Sequence, residues 1–246
     1  GRNDLAWLEQ FNSRFHQFSD DGVTLHGAYG HRWRNHWKID QIKALITLLR
    51  CEPNTRQAVL AMWNPMVDLN KAHKDIPCND MCFFDRRNDQ LNMTVLCRSN
   101  DILWGCFGSN CVHFSYLQEY LAAHIGVPVG VYRQFSNNFH AYTAMQGYPS
   151  IDPTVIGEDD RYAEGKVTPF PLIQSPKCFD IELNIFMSDP LGDTAFEEPF
   201  FDVVVAPMYA SWSDRKGKNN NGLLAAEAIA ATDWKAACED WIARRE

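Results

Sequence analysis

Apolar residues recur every three or four positions in several segments of the chain, and this spacing predicts amphipathic helices. Asp40 is a suitable N-cap for one of these helices, and Gly126 is a suitable end for another. The predicted helices cover residues 4–18, 40–49, 114–125 and 223–244.

Short runs rich in β-branched and aromatic residues, several of them bounded by turn residues, predict strands. The predicted strands cover residues 58–63, 82–84, 91–96, 129–136, 139–142, 181–186 and 201–206. Helices and strands mix without a regular βαβ alternation and without an internal repeat. The pattern therefore predicts an α+β fold in a single domain over residues 1–246. Neither the dinucleotide-binding glycine pattern nor the phosphate-loop pattern is present.

Composition and charge exclude several classes of protein. With 46% hydrophobic and 22% charged residues, the 246-residue chain has ordinary globular composition. No apolar run is long enough for a transmembrane helix, so we expect no membrane partner. A net charge of −8 argues against general nucleic-acid binding. It leaves room for a small anionic substrate, since a few arginines in one pocket can bind a phosphate.

The eight cysteines do not form a disulfide scaffold or a zinc site. Their spacing contains no CxxC pair and no Cys/His quartet. We therefore expect reduced thiols in a cytoplasmic protein and no bound metal. One of the thiols is a candidate nucleophile.

Several positions carry residues suited to chemistry. Cys78 directly follows a proline at the start of a predicted strand, and residues 98–101 (Arg-Ser-Asn-Asp) are four polar residues in succession. Arginine and serine suit phosphate oxygens. A glycine-bearing loop follows at residues 104–110, and His140 and Tyr142 lie on one face of a predicted strand.

Taken together, these residues resemble the thymidylate synthase superfamily, which also contains the phage-type dCMP and dUMP hydroxymethylases. The resemblance extends from Gly1 to about Gln146 and rests on the order and spacing of matching positions. These are Tyr29, Arg56, Trp63-Asn64-Pro65, Pro77-Cys78, Arg98-Ser99-Asn100-Asp101, Gly105, Asn110 and His140-Ala141-Tyr142. The resemblance implies a mixed β-sheet packed with helices, in which one sheet face forms a dimer interface.

The resemblance also implies a reaction. The thiolate of Cys78 would add to C6 of a pyrimidine nucleotide, which makes C5 nucleophilic toward a one-carbon unit from 5,10-methylenetetrahydrofolate. Tyr29 would help remove the C5 proton. Asp101, with Trp104 and Gly105, would bind the folate. No metal takes part, and a phage-encoded enzyme of this kind would act in the host cytoplasm.

The same resemblance assigns the substrate contacts. Arg98 and Ser99 would bind the 5′-phosphate, and the charge of Arg98 would favour the thiolate of the nearby nucleophile. Arg56 would cross the interface of a homodimer to the neighbouring subunit's phosphate. His140 and Tyr142 would hydrogen-bond the sugar 3′-hydroxyl.

The chain departs from the family pattern at several positions. Gln57 replaces a second phosphate arginine, Asn79 stands where thymidylate synthases commonly have histidine, and Cys97 stands where they have glutamine. The family's catalytic glutamate falls upstream of Gly1. We therefore expect an N-terminal element of the fold, carrying this glutamate, to precede the numbered chain.

Base and product selection remain open at this point. An asparagine at the base-reading position suits uracil, whereas aspartate suits cytosine. Depending on where one extra residue falls, the reader is Asn110 or Ser109, and we favour Asn110. The charged end at residues 241–246 lacks the apolar tail that protects hydride transfer, so we expect 5-hydroxymethyl-dUMP as the product. The alternatives are thymidylate synthase, dCMP hydroxymethylase and a catalytically silent nucleotide-binding protein.

Overall fold

The computed structural model describes residues 1–144, 160–215 and 221–244. The backbone divides into two compact units, Gly1–Tyr148 and Pro149–Glu246. A single domain over residues 1–246 stays a prediction. Within the described ranges, no helix is both long and apolar enough to cross a membrane.

Several helices of the first unit begin at a capping side chain. Its helical elements are α1 (Leu5–Glu9), a 3-10 helix (Ser13–Phe18), α2 (Tyr29–Arg34), α3 (Gln41–Cys51), α4 (Pro65–Asp68), a π-helical turn (Ile102–Cys106) and α5 (Ser109–Ile125). Asp40 caps α3 by accepting from the Lys43 N–H, as predicted. The predicted helix at residues 4–18 is wrong as one element, because Asn12 caps a separate 3-10 helix through the Arg14 N–H.

The described part of the first unit contains a four-stranded sheet in the order β1-β2-β3-β4. Its strands are β1 (Val59–Ala61), β2 (Asn79–Arg87), β3 (Gln90–Asp101) and β4 (Val129–His140). The first three are antiparallel, and β4 runs parallel to β3 after the crossover through α5. Helices packed on a mixed sheet confirm the predicted α+β fold.

One face of this sheet carries the core of the first unit. Leu91, Met93 and Val95 of β3 are fully buried against apolar residues of α3 and α5. The other face carries apolar side chains that remain accessible. Its exposed members are Val59, Phe83, Val131 and Phe135. The sheet therefore has one face that the described chain covers and one that it leaves open.

The described part of the second unit is helical. Its helices are α6 (Phe179–Ser188), a π-helical turn (Phe201–Val205), α7 (Ala206–Asp214), α8 (Asn221–Ala226) and α9 (Thr232–Ala243). The strands predicted at residues 181–186 and 201–206 are therefore wrong. Short runs with β-branched and aromatic residues fit either structure by spacing alone, and here both form helices. The helix predicted at residues 223–244 is interrupted between α8 and α9.

Candidate active site

The candidate nucleophile Cys78 lies directly before β2, where the hydroxyl of Tyr29 meets the backbone. That hydroxyl accepts hydrogen bonds from the N–H of Cys78 (3.3 Å), the N–H of Asn79 (3.2 Å) and the Asn79 Nδ2 (2.9 Å). The first turn of α2 is thus tied to the start of β2. The structure thus brings Tyr29 and Cys78 together.

Burial, against the effect of the Asn79 donors, determines the protonation state of the Tyr29 hydroxyl. A phenolic oxygen has two acceptor sites, so three N–H groups occupy its accepting capacity. Burial, followed by the nearby Cys78 thiol, raises the pKa of Tyr29 well above its ordinary value. The hydroxyl therefore keeps its proton at neutral pH, and no acceptor for that proton is found among the described residues.

Arg98 of β3 is fixed beside the thiol by backbone carbonyls. Its Nε donates to the Pro77 carbonyl at 2.8 Å and its Nη2 to the Ile76 carbonyl at 3.1 Å. The same Nη2 lies 4.0 Å from the Cys78 Sγ, and the guanidinium sits 5.4 Å from the centroid of the Trp63 ring. The loop that carries Cys78 thus holds the positive charge of Arg98 next to the thiol.

The thiol of Cys78 is nevertheless harder to ionise than a free cysteine. Burial raises its pKa, Arg98 lowers it, and the carboxylates of Asp75 and Asp80 raise it further. Burial also raises the pKa of Asp80 to about 6, against the lowering effect of Arg98. The expected influence of Arg98 on the thiolate has the predicted sign, but burial outweighs it in the protein alone.

A glycine-bearing turn follows β3 at the predicted folate residues. Asp101 caps the π-helical turn by accepting from the Trp104 N–H. The Trp104 side chain is 55% exposed, so its ring is available for stacking. Gly105 is buried, and a Cβ there would lie 2.3 Å from the Asn100 Oδ1. Only glycine fits this close approach.

Two buried asparagines that we did not predict as site residues border these groups. Asn79 and Asn100 are both 0% exposed, and the Oδ1 atom of each has no hydrogen-bond partner in the described part of the chain. Buried amide oxygens are normally satisfied, so an orphan next to Cys78 and another at the Gly105 turn point to a ligand-binding region. Their sequence signal was a polar residue next to Cys78 and one within the 98–101 run.

The two candidate base readers begin α5. Ser109 is its first residue, and Asn110 follows, half-buried. The Nδ2 of Asn110 lies 3.5 Å from the position that a Cβ on Gly105 would occupy. Asn110 therefore borders the turn that Asp101 caps, and its amide makes no hydrogen bond with described residues.

His140 and Tyr142 lie beside the same turn at the end of β4. His140 is the register partner of Asp101, and Asn138 is that of Ser99. The His140 and Tyr142 rings meet edge to face, 5.0 Å between centroids. Pairing of β3 with β4 thus places the predicted sugar contacts next to the predicted phosphate and folate residues.

Arg56 stands apart from this cluster. It is exposed in the loop before β1 and has no partner among the described residues. Among the described residues, no hydrogen bond or ion pair joins it to Cys78 or Arg98. Its role across a dimer stays a prediction.

Among the described residues, a group of possible metal ligands occurs in the second unit. Atoms of Cys178, Glu182 and Glu197 lie within 4.8 Å of one another. The Glu182 carboxylate accepts the backbone N–H groups of Glu197 (2.9 Å) and Glu198 (2.8 Å), which accounts for its burial. These bonds fix the loop after α6. The expected absence of a metal stays a prediction.

Comparison of the sequence with known proteins identifies relatives of this chain. The family model described as thymidylate synthase matches residues 1–150. A deoxyuridylate hydroxymethyltransferase of Pseudomonas phage M6 is 42% identical over 259 residues, covering 100% of this chain and 74% of that protein. The enzyme of the same name from Bacillus phage SP01 is 39% identical over 154 residues, covering 58% of this chain and 40% of that protein.

Among solved structures, thymidylate synthase A of Bacillus subtilis is 28% identical with a TM-score of 0.48. The match covers 57% of this chain and 52% of that one. This chain thus spans about half of that enzyme and less than half of the SP01 protein. The match over residues 1–150 and the identity to the M6 protein show that the chain belongs to the thymidylate synthase family.

Proposed function

We propose that this protein is a deoxyuridylate 5-hydroxymethylase. It transfers a one-carbon unit from 5,10-methylenetetrahydrofolate to C5 of dUMP, and water completes the hydroxymethyl group. The observation that carries the proposal is the 42% identity, over the whole chain, to the phage M6 deoxyuridylate hydroxymethyltransferase. Nucleotide and reduced folate are cytoplasmic metabolites, so the enzyme acts in the cytoplasm, which for a phage protein is that of the host.

The covalent step uses the thiol that lies between Tyr29 and Arg98. Cys78 loses its proton and its sulfur bonds to C6 of the pyrimidine, so that electron density moves to C5. Burial raises the pKa of this thiol, while Arg98 lowers it. A dianionic phosphate bound at Arg98 would offset the lowering effect of this arginine on the pKa of the Cys78 thiol. The attack therefore depends on close approach of C6 as well as on the charge of Arg98.

Substrate binding uses the groups around the end of β3. Arg98 and Ser99 bind the phosphate, and His140 and Tyr142 bind the sugar 3′-hydroxyl. Asn110 reads the base, because its amide offers an acceptor to the uracil N3–H and a donor to O4. The free amide of Asn110 beside Gly105 supports this assignment.

The folate residues suit a pterin ring. Asp101 uses one carboxylate oxygen to cap the π-helical turn, which leaves the other for ring N–H donors. Trp104 offers an exposed aromatic surface, and buried Gly105 keeps the turn compact. The Oδ1 of Asn100, buried without a partner at this turn, supports a polar ligand here. When bound, the folate supplies the one-carbon unit.

The protein works as a homodimer in this proposal. The open sheet face carries Val59, Phe83, Val131 and Phe135, and an exposed apolar face of this kind favours burial against a second copy. Leu96 and Arg98 lie two residues apart on β3, so both belong to this face of the sheet. The open face therefore extends to Arg98, which we assign to the phosphate. Arg56, exposed before β1, then reaches the partner's phosphate.

Thymidylate synthase is the second candidate, since the matching family model carries that description. The two activities differ in the last step. Hydride transfer gives a methyl group and dihydrofolate, whereas water gives a hydroxymethyl group and tetrahydrofolate. Asn79 and Cys97, which replace the histidine and glutamine of thymidylate synthases, lie at the nucleophile and favour the hydroxymethylase.

The test combines product identification with covalent trapping. The full chain is incubated with dUMP and 5,10-methylenetetrahydrofolate, absorbance is followed at the dihydrofolate band, and the nucleotide is identified by mass. We expect 5-hydroxymethyl-dUMP without dihydrofolate. Stoichiometric dihydrofolate and a methylated product would identify a thymidylate synthase, and a dCMP-only product would identify a cytosine enzyme.

A second measurement separates an enzyme from a silent binding protein. Incubation with 5-fluoro-dUMP and the folate should give a covalent, mass-shifted protein, with the added mass on the peptide that contains Cys78. Binding of dUMP without such an adduct would leave a nucleotide-binding protein.

A further inference from the structure

A second titratable side chain contacts Tyr29, from the side of helix α5. The His113 ring meets the Tyr29 ring edge to face, with 6.5 Å between centroids and 79° between planes. Tyr29 in turn bonds the backbone N–H of Cys78. His113 also lies three residues after Asn110, so the two side chains share one face of α5.

His113 combines an exposed surface with close neighbours on one side of its ring. The residue keeps solvent access. Yet burial among surrounding atoms lowers the pKa of His113, with no charged group contributing to the change. A neutral imidazole has one nitrogen with a free lone pair. In the described part of the chain, neither ring nitrogen makes a hydrogen bond, so that lone pair is available to a ligand or a water.

The proposed reaction needs such a group after the one-carbon unit has reached C5. Water must then attack the exocyclic methylene carbon, and it must lose a proton to do so. Tyr29 keeps its own proton, Cys78 is bonded to C6, and one Asp101 oxygen is held by the Trp104 N–H. Among the described residues, the base must therefore be a group distinct from these three.

We propose, on the basis of the proposed function, that His113 is the general base that activates this water. The water oxygen bonds to the methylene carbon while its proton passes to the imidazole. The electron pair of the exocyclic double bond moves to the C5–C4 enolate. Collapse of the enolate re-forms the C5–C6 double bond and expels the Cys78 thiolate, which leaves 5-hydroxymethyl-dUMP. The imidazolium then returns its proton to solvent or to the thiolate.

The main test replaces His113 by asparagine and measures separate steps. Formation of 5-hydroxymethyl-dUMP should slow about 100-fold, a usual contribution of a general base. The rate of the 5-fluoro-dUMP adduct should not change, because that adduct forms before water reacts. Tritium release from 5-tritiated dUMP should outpace product formation, since removal of the C5 proton precedes the lost step.

A matched control is His124→Asn on the same helix, whose ring bonds the Tyr120 carbonyl at 2.9 Å. It should form product at the unsubstituted rate. Added 2-mercaptoethanol should restore turnover of His113→Asn by forming a thioether at the methylene carbon, since a thiolate needs no base. No such rescue is expected in a variant that has merely lost its fold.

Binding alone gives a further readout. In NMR spectra of the protein, dUMP without folate should shift the imidazole resonances of His113 and leave those of His124 unchanged. Unchanged product formation in His113→Asn, or equal slowing of the fluoro-dUMP adduct and the product, would overturn the assignment. If the unsubstituted protein forms no adduct at all, the proposed function fails instead.

Discussion

The first unit contains two polar clusters of opposite character. In one, Arg32 and Asp68 have fully buried side chains, joined by two bonds of 2.8 Å. Asp68 also accepts from His26 at 2.7 Å and from the Asn64 N–H at 2.7 Å. The guanidinium of Arg32 also donates hydrogen bonds to the backbone carbonyls of His26 and Met62. This cluster is closed, because its charges and lone pairs are met within the protein.

The second cluster, formed by the polar groups of the candidate active site, is open. Asn79 and Asn100 bury an unpartnered amide oxygen each, Tyr29 has a proton without an acceptor among the described residues, and Asn110 presents an unbonded amide. A closed network stabilises the fold, while unmet donors and acceptors cost stability unless a ligand meets them. The comparison separates polar residues that hold the protein together from those that are arranged for a substrate.

The largest effect is expected from Cys78→Ser. A serine hydroxyl at neutral pH is a far weaker nucleophile than a cysteine, so product formation should fall about 10⁴-fold or more. The fluoro-dUMP adduct should disappear, as observed by mass spectrometry. The free energy of unfolding should change by less than about 1 kcal/mol, because the thiol makes no strong hydrogen bond.

Cys51→Ser is the control for this prediction, since Cys51 is exposed at the end of α3. It should retain both adduct and product. Persistence of the adduct in Cys78→Ser would move the nucleophile to another cysteine.

Arg32→Met, in the closed cluster, should lower stability and leave activity intact, which is the reverse of the result expected for Cys78→Ser. This change leaves the buried Asp68 carboxylate without its main partner, and the free energy of unfolding should fall by about 3–5 kcal/mol. Urea unfolding at pH 7 measures it, and the specific activity of the folded fraction should remain. Arg34→Met on the same helix loses partly exposed bonds to Asp40 and Tyr120 and should cost only about 1 kcal/mol.

Asp68 gives the same cluster a pH dependence. Burial would raise the pKa of Asp68, but the bonds from Arg32, the Asn64 N–H and His26 outweigh it and lower the pKa below its ordinary value. Stability from this carboxylate is thus present above its unfolded pKa and lost as pH falls through the lower folded value. A loss of equal size for Arg32→Met and Arg34→Met at pH 7 would contradict the distinction between closed and exposed pairs.

Sequence predicted those parts of the fold that depend on neighbouring residues. Asp40 and the apolar spacing after it are local, and α3 begins where they predict. In α6 the β-branched and aromatic residues of 181–186 indicated a strand, yet Glu182 and Phe186 are buried while Ile181 and Ile185 are exposed. Glu182 is buried because it binds distant backbone N–H groups, a contact that spacing cannot predict.

For the candidate site, the sequence predicted which residues take part but not all of their contacts. Cys78 and Arg98 could be named from the family resemblance, and the antiparallel pairing of β2 with β3 brings them together. The carbonyls of Ile76 and Pro77 that hold Arg98 depend on the path of a loop. Burial of the Asn79 oxygen likewise depends on tertiary packing, so the sequence showed a replacement there but not its unmet acceptor.

An intermediate effect is expected from Asn110→Asp. Uracil would lose a donor to O4, and an unmet polar group in a binding site costs about 1–3 kcal/mol, so the dUMP-to-dCMP preference should fall about 10- to 100-fold. Competition kinetics with both nucleotides measure this change. Ser109→Asp is the matched variant: a shift there and none in Asn110→Asp would make Ser109 the reader.

The smallest effect concerns the ionisation of the nucleophile and is tested by Asp80→Asn. The Asp80 carboxylate raises the pKa of Cys78, after burial and against Arg98. Because the pKa of Asp80 itself is raised to about 6, the group is charged above that pH and neutral below it. Removing its charge should therefore shift the alkylation of Cys78 by iodoacetamide to lower pH, with no difference between the proteins at pH 5.

Asp85→Asn on the same strand is the control, because it removes a charge that bonds Arg87 and Asn92 instead. The pH profile of Cys78 alkylation should then stay in place. Equal shifts in both variants would show that net charge, rather than a carboxylate at the open cluster, controls the thiol.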